Sequence, residues 1–143
     1  MAVQTMPMLC AYLRPGEAHD IRVGGVTSPA ADQPGVWSGA RDDSVLLDSA
    51  WCPWLGEAMR RMARGPSERR LFDYNYPAYV KAFQEARPAL KLDELAPYQA
   101  RHSGPPIDRA RRLRSQEEVA RRGRWQSPAS VQRYKGAARR GQT

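Results

Sequence analysis

The side chains best suited to do chemistry lie between Tyr98 and Tyr134, in the stretch YQARHSGPPIDRARRLRSQEEVARRGRWQSPASVQRY. It holds an Arg101, His102 pair, a run of arginines at 109, 111, 112 and 114, a Gly123 turn leading to Trp125, and Tyr134 in a second basic segment. A phenol becomes a nucleophile only as it loses a proton whose ordinary pKa is about 10. Guanidinium groups are permanently charged planar donors that match phosphate oxygens two at a time. The combination suits attack of a tyrosine oxygen on phosphorus, with arginines taking up the charge that grows on the phosphate.

The elements that must position these groups follow from patterning. Met1 to Glu17 mixes Met, Leu, Val and Ala at near-helical spacing and stops at Pro15 and Gly16, which predicts a short helix closed by LRPGE, with Arg14 at its end. Ala18 to Val26 and Ser44 to Asp48 read as short strands, separated by a loop rich in Gly, Pro, Ser and Asp. Trp51 to Arg64 is an amphipathic helix ended by Gly65 and Pro66, with Trp54, Leu55, Ala58, Met59 and Met62 on its apolar side. Tyr79, Val80, Phe83 and Ala86 recur at helical spacing after Pro77, and the tyrosines at 74, 76 and 79 are packing residues.

Pro105 and Pro106 argue against a helix running unbroken through the Arg101 region, so a new one is expected near Ile107. Ser115 with Glu118 is a capping box opening a helix that Gly123 ends, and Pro128 stands near the start of the last helix, which carries Tyr134. The expected core is Leu13, Ile21, Val45, Leu47, Leu55, Met59, Val80, Phe83, Leu90 and Val119.

Charge narrows the partner. The net charge is +8, yet residues 101–143 hold 12 Lys/Arg against 3 Asp/Glu, a net of +9, and the first hundred residues come to −1. A basic third of this kind points to a polyanion, with Arg109, Arg111, Arg112, Arg114, Arg121, Arg122, Arg124, Arg133 and Lys135 as its contacts. No run approaches the roughly 18 apolar residues that span a bilayer, and the N-terminus lacks the pattern of a signal peptide, which predicts an intracellular protein. Cys10 and Cys52 show neither a C-x-x-C nor a Cys/His cluster, so we expect two buried thiols, no metal and no cofactor.

The order of these residues resembles the catalytic domain of tyrosine recombinases, the phage-type integrases. That family joins a Leu-Arg-x-x-Glu motif, a His-x-x-Arg-His box and a Leu-Gly-His or Trp box to a tyrosine nine positions further on. Leu13, Arg14 and Glu17 match the first motif, Arg101 and His102 the second, Gly123 and Trp125 approximate the third, and Tyr134 falls nine residues after Trp125.

The resemblance implies an α+β domain, 1–143 as one unit, mostly helical with a small antiparallel sheet at one edge and without the N-terminal DNA-clamping domain of the family. It implies double-stranded DNA as partner, a homo-oligomer on that DNA, and breaking and rejoining of strands in the recombination or integration of a mobile element. Arg14 and Arg101 would clamp the phosphate, Glu17 would support them, Trp125 would donate one hydrogen bond, and Tyr134 would form a 3′-phosphotyrosyl link. Two positions depart from the pattern. The hairpin lysine that serves the family as general acid falls near Trp37, with Arg41 the nearest cation, and Tyr98 stands where the first-box histidine belongs. A recombinase remnant that binds DNA without cutting it, and an unrelated basic domain that binds nucleic acid by charge alone, are the alternative readings.

Overall fold

The computed structural model describes residues 2–27, 36–37, 45–92 and 95–132. The chain is mostly helical. Its central pair is α1 (Ala2–Cys10) and α5 (Pro97–Ala110), the most extensive helix contact among the described elements. Pro97 stands at the first position of α5, where its missing N–H costs nothing, and the Gln99 side chain accepts from the Ala96 N–H at 2.5 Å. The buried face of α5 is Ala100, Arg101, Gly104, Pro105 and Asp108, a four-residue spacing that turns one stripe toward α1. Gly104 sets the approach: a Cβ there would lie 1.9 Å from the Leu9 carbonyl oxygen.

This packing corrects the expectation of a helix restarting near Ile107, because α5 runs through Pro105 and Pro106 without a break. Each interior proline loses a backbone bond and costs about 3 kcal/mol or more in an isolated helix. Here Pro105 is buried in the same stripe as Gly104, so apolar burial against α1 offsets the cost.

The N-terminal segment also differs from expectation. α1 ends at Cys10, the chain turns through Tyr12 in the left-handed region (φ 56°), and α2 (Pro15–His19) begins after Arg14. Arg14 therefore opens a helix rather than closing one. The reason is the pair Pro15 and Glu17: proline suits a first helical turn, and the Glu17 carboxylate accepts from the Arg14 N–H at 2.7 Å. The strand expected over 18–26 is correspondingly replaced by α2 and a 3-10 turn (Val23–Gly25).

Among the described residues strand is limited to two-residue pieces, β1 (Val26–Thr27), β2 (Val36–Trp37) and β3 (Val45–Leu46), paired antiparallel with Val26 opposite Trp37 and Val36 opposite Leu46. α3 (Leu55–Met62) starts later than expected, since Trp51 to Trp54 form turns. Trp54 is thereby left 49% exposed, off the apolar face it was assigned to. α4 (Tyr76–Ala86) is capped by Asn75, whose side chain accepts from the Ala78 N–H.

The main core gathers Met8, Leu13, Ile21, Val45, Leu47, Leu55, Met59 and Phe83, with Val80 half-buried against it; Val119 is buried in a smaller cluster with Tyr12 and Val131. Leu90 is not in the core. It is 64% exposed, because α4 stops at Ala86 and the 3-10 turn Pro88–Leu90 carries it off the period of Tyr79 and Phe83. Of the three tyrosines taken as packing residues, Tyr79 is buried, while Tyr74 and Tyr76 remain substantially exposed.

Candidate functional site: an arginine cluster around Glu17

Three separate stretches of chain converge on the carboxylate of Glu17. α2 supplies it in its first turn, beside Arg14; α5 supplies Arg101; and the end of α6 (Gln116–Gly123) supplies Arg124. The Glu17 Oε2 accepts from Arg124 Nη2 at 2.6 Å and lies 3.8 Å from Arg101 Nη1, and its Oε1 lies 3.6 Å from Arg14 Nη1. One carboxylate thus spans Arg14 and Arg101, so a tetrahedral oxyanion of similar size can span them too.

Arg101 is the unusual member. It is 1% exposed, among the largest fully buried side chains, and its Nη2 donates to the Gly123 carbonyl at 2.8 Å. Its Nε and Nη1 have no hydrogen-bond partner among the described residues. Burial, followed by the charge of Arg14, pushes its pKa down, with Glu17 opposing. A buried guanidinium with unmet donors carries a large desolvation penalty unless an anion completes it. Arg14, by contrast, has a side chain 60% exposed, which leaves the cluster open on that side.

Aromatic rings wall the other side. Trp125 lies with its ring centroid 5.1 Å from the Arg101 guanidinium carbon and stacks against Tyr12 at 6.0 Å and His102 at 6.1 Å; Tyr98 meets His102 edge-on at 4.9 Å. The local sequence makes this possible. Ser115 accepts from the Glu118 N–H at 3.2 Å and Glu118 accepts from the Ser115 N–H at 2.6 Å, the reciprocal box expected, which fixes where α6 begins. At its other end Gly123 must lack a side chain, since a Cβ would meet the Trp125 ring at 2.2 Å. The left-handed residue after α6 is Arg124 (φ 54°), not the glycine.

Two arginines assigned to DNA belong instead to a second, closed cluster. Asp108, 1% exposed, accepts from the Tyr12 hydroxyl at 2.5 Å, from Trp51 Nε1 at 2.8 Å and from Arg114 Nε at 3.0 Å. Asp48 pairs with Arg114 Nη2 at 2.6 Å and with Arg122 Nη1 at 3.1 Å. Arg122 spends its remaining donors on the carbonyls of Cys10 and Leu46. Burial works against the charge of Arg114, but Asp48 and Asp108 outweigh it and its pKa is raised; burial, then Arg114, lowers that of Arg122. The assignment of Arg114 and Arg122 as contacts to an external polyanion is therefore corrected, because Asp48 holds both side chains inward and the buried Asp108 also holds Arg114.

Of the remaining basic candidates, Arg111, Arg112 and Arg121 are exposed, and Arg109 is half-buried with Nη1 on the Arg114 carbonyl. Tyr134, Arg133 and Lys135 lie outside the described residues, as does Arg41; of the hairpin position Trp37 only the backbone pairing is described.

Sequence reasoning missed Asp108, Asp48 and Tyr12, and assigned Arg124 to the polyanion contacts and not to this cluster. A signal for Asp108 does exist: it is the one acid of α5, four residues after Gly104 and eight after Ala100, on the stripe that turns inward. Cys10 and Cys52 are free and buried as expected, and burial raises the pKa of both thiols. Among the described residues no group of three or more His, Cys, Asp or Glu could hold a metal ion, and no helix is long and apolar enough to cross a membrane. No known protein family matches the chain, and neither does any curated protein or solved structure.

Proposed function

We propose that the protein breaks and rejoins DNA as a tyrosine-recombinase-like catalytic domain, with the strand pairings at Val26, Val36 and Val45 belonging to the small sheet at its edge. One observation carries the reading: Arg101 is buried with two unmet guanidinium donors, and a single carboxylate already links it to Arg14. Those are the two arginines that the sequence resemblance names as the phosphate clamp.

In this mechanism the scissile phosphodiester enters from the exposed Arg14 side, and its non-bridging oxygens take the donors of Arg14 and Arg101. Pre-oriented donors of this kind act where charge grows in the transition state, so they lower the barrier without reorganising. The Tyr134 oxygen forms a bond to phosphorus, the bond from phosphorus to the 5′ sugar oxygen breaks, and the proton lost by the phenol is balanced by one gained at the leaving oxygen. Trp125 holds the Arg101 guanidinium in place through its ring. Tyr98, half-exposed beside His102, is the phenol nearest the position of the absent histidine. Duplex DNA is the partner, held along its backbone by Arg109, Arg111, Arg112 and Arg121 together with Arg133 and Lys135. Affinity for a duplex should fall by about a hundredfold or more between roughly 50 and 200 mM salt.

A second reading, DNA binding without cleavage, is favoured by the lack of any lysine before Lys81 to protonate the leaving oxygen. General acid catalysis contributes about 10² to 10⁴ in rate, so cleavage is expected to be slow. A nicked suicide duplex tests both. The first reading expects a covalent protein–DNA adduct in the wild type, absent in Tyr134→Phe, with duplex affinity unchanged. No adduct from the wild type leaves the binding-only reading, and an adduct that persists in Tyr134→Phe removes Tyr134 as nucleophile.

A further inference from the structure

The charge count of the Glu17 cluster has a consequence beyond the two-arginine clamp. Arg14, Arg101 and Arg124 bring three positive charges and Glu17 returns one negative charge, so the cluster has a surplus of two. The closed cluster a few residues away, with Arg114 and Arg122 against Asp48 and Asp108, sums to zero. A phosphodiester in its ground state carries a single negative charge. When a phenolate adds to it, the two non-bridging oxygens and the entering and leaving oxygens share a total of about two. The surplus therefore exceeds what a bound diester needs and matches what its transition state carries.

The third arginine is held in place against a backbone penalty. Arg124 adopts φ 54° and ψ 38°, a left-handed conformation that costs a residue with a Cβ about 1–2 kcal/mol and that glycine adopts freely. From there its side chain, 20% exposed, reaches back to Glu17 Oε2 at 2.6 Å. Tyr12, Lys91 and Arg112 share this conformation, so what singles Arg124 out is the reach of its guanidinium into the Glu17 cluster.

We infer that Arg124 is a third clamp residue, whose guanidinium leaves Glu17 to meet the second negative charge of a phosphoryl-transfer transition state, making the site selective for doubly over singly charged phosphates. The inference rests on the phosphate-clamp reading of the site. The shared carboxylate allows it: Glu17 Oε2 accepts from Arg124 Nη2 and from the Arg14 N–H, so it keeps a partner when the guanidinium turns away. In this role Arg124 supplies charge only. The proton required by the leaving oxygen still has to come from another group or from water.

The test compares phenyl phosphate, a dianion at pH 8, with dimethyl phosphate, a monoanion, by calorimetric titration of the full chain. Wild type should bind the dianion at least tenfold more tightly, and Arg124→Gly should lose about tenfold to a hundredfold of that affinity while its affinity for the monoanion changes less than threefold. Arg124→Lys, which keeps the charge, should retain most of the selectivity. Melting of Arg124→Gly should stay within a few degrees of wild type, because relief of the left-handed backbone opposes both the greater chain entropy of glycine and the lost ion pair. If wild type binds neither compound, the phosphate-clamp reading fails and takes this inference with it. If wild type binds both and Arg124→Gly leaves the ratio of the two affinities unchanged, only the role of Arg124 is overturned. If both affinities fall together, with melting lowered by ten degrees or more, Arg124 is a structural tie for Glu17.

Discussion

Arginines gather around Glu17 and around Asp48 with Asp108, and α6 contributes to both groups. Around Asp48 and Asp108, each carboxylate accepts from several donors, Arg114 and Arg122 end on acids or carbonyls, and the charges cancel. Around Glu17, one acid faces three arginines, and the most buried of them keeps two donors unmet. The residue type is the same; stoichiometry and the exposed side chain of Arg14 separate them. A closed cluster pins the fold, because removing one partner strands the rest. An open cluster leaves buried donors without partners, at a cost in stability.

The largest effect is expected from breaking the closed cluster. Asp108→Ala removes the acceptor for the Tyr12 hydroxyl, the Trp51 indole N–H and Arg114 together. Breaking a buried pair from one side costs about 3–5 kcal/mol, so thermal melting should drop on the order of 10 °C or more. A drop of only a degree or two would mean that Asp108 does not pin α5 to the rest of the fold.

The open cluster should respond much less. Arg101→Met removes a buried, under-paired guanidinium and leaves Glu17 with Arg14 and Arg124 as partners, so less is stranded than when Asp108 is lost. Melting is expected to fall by clearly less than in Asp108→Ala, while affinity for phenyl phosphate falls by about a hundredfold. If Arg101→Met instead melts as low as Asp108→Ala, Arg101 is a structural arginine like Arg114, and the contrast between the clusters disappears.

How far the sequence foretells this contrast depends on the range of the interaction. The Ser115 and Glu118 box, the Asn75-capped helix and the burial of Leu55 and Met59 follow from neighbours within four residues, and they are readable as such. For the open cluster the sequence offers only motif order, which singles out Arg14, Glu17, Arg101 and Trp125 without their geometry. Arg114 and Arg122 look identical to Arg111 and Arg121 in a basic run, and what turns the first two inward is Asp48, sixty to seventy-odd residues away, with Asp108 on the inner stripe of α5 also holding Arg114. Pro105 and Pro106 mislead for the same reason: local chemistry says a break, and the close approach of α1 at Gly104 overrides it. Arg124 is grouped with the other arginines of the basic run because a left-handed arginine cannot be told from a helical one by residue type.

The smallest expected effect concerns the start of α6, which presents Arg122 to one cluster and Arg124 with Trp125 to the other. The Ser115 backbone N–H, and then its hydroxyl, hold the Glu118 carboxyl below its ordinary pKa. A lowered folded-state pKa means that the ionised form favours the fold. Its contribution is present above the unfolded value of about 4.3 and is lost as pH falls through the folded one. Glu118→Gln keeps an acceptor for the box and removes the titration. Wild type should therefore melt slightly above Glu118→Gln at pH 7, and the gap should close as the pH is taken below about 4. The closed cluster tethers α6 through Arg122 independently of its cap, so phenyl phosphate affinity should be unchanged in Glu118→Gln at pH 7. Should that affinity fall instead, the cap and not the closed cluster holds the end of α6 in register, and the two clusters are coupled through the helix they share.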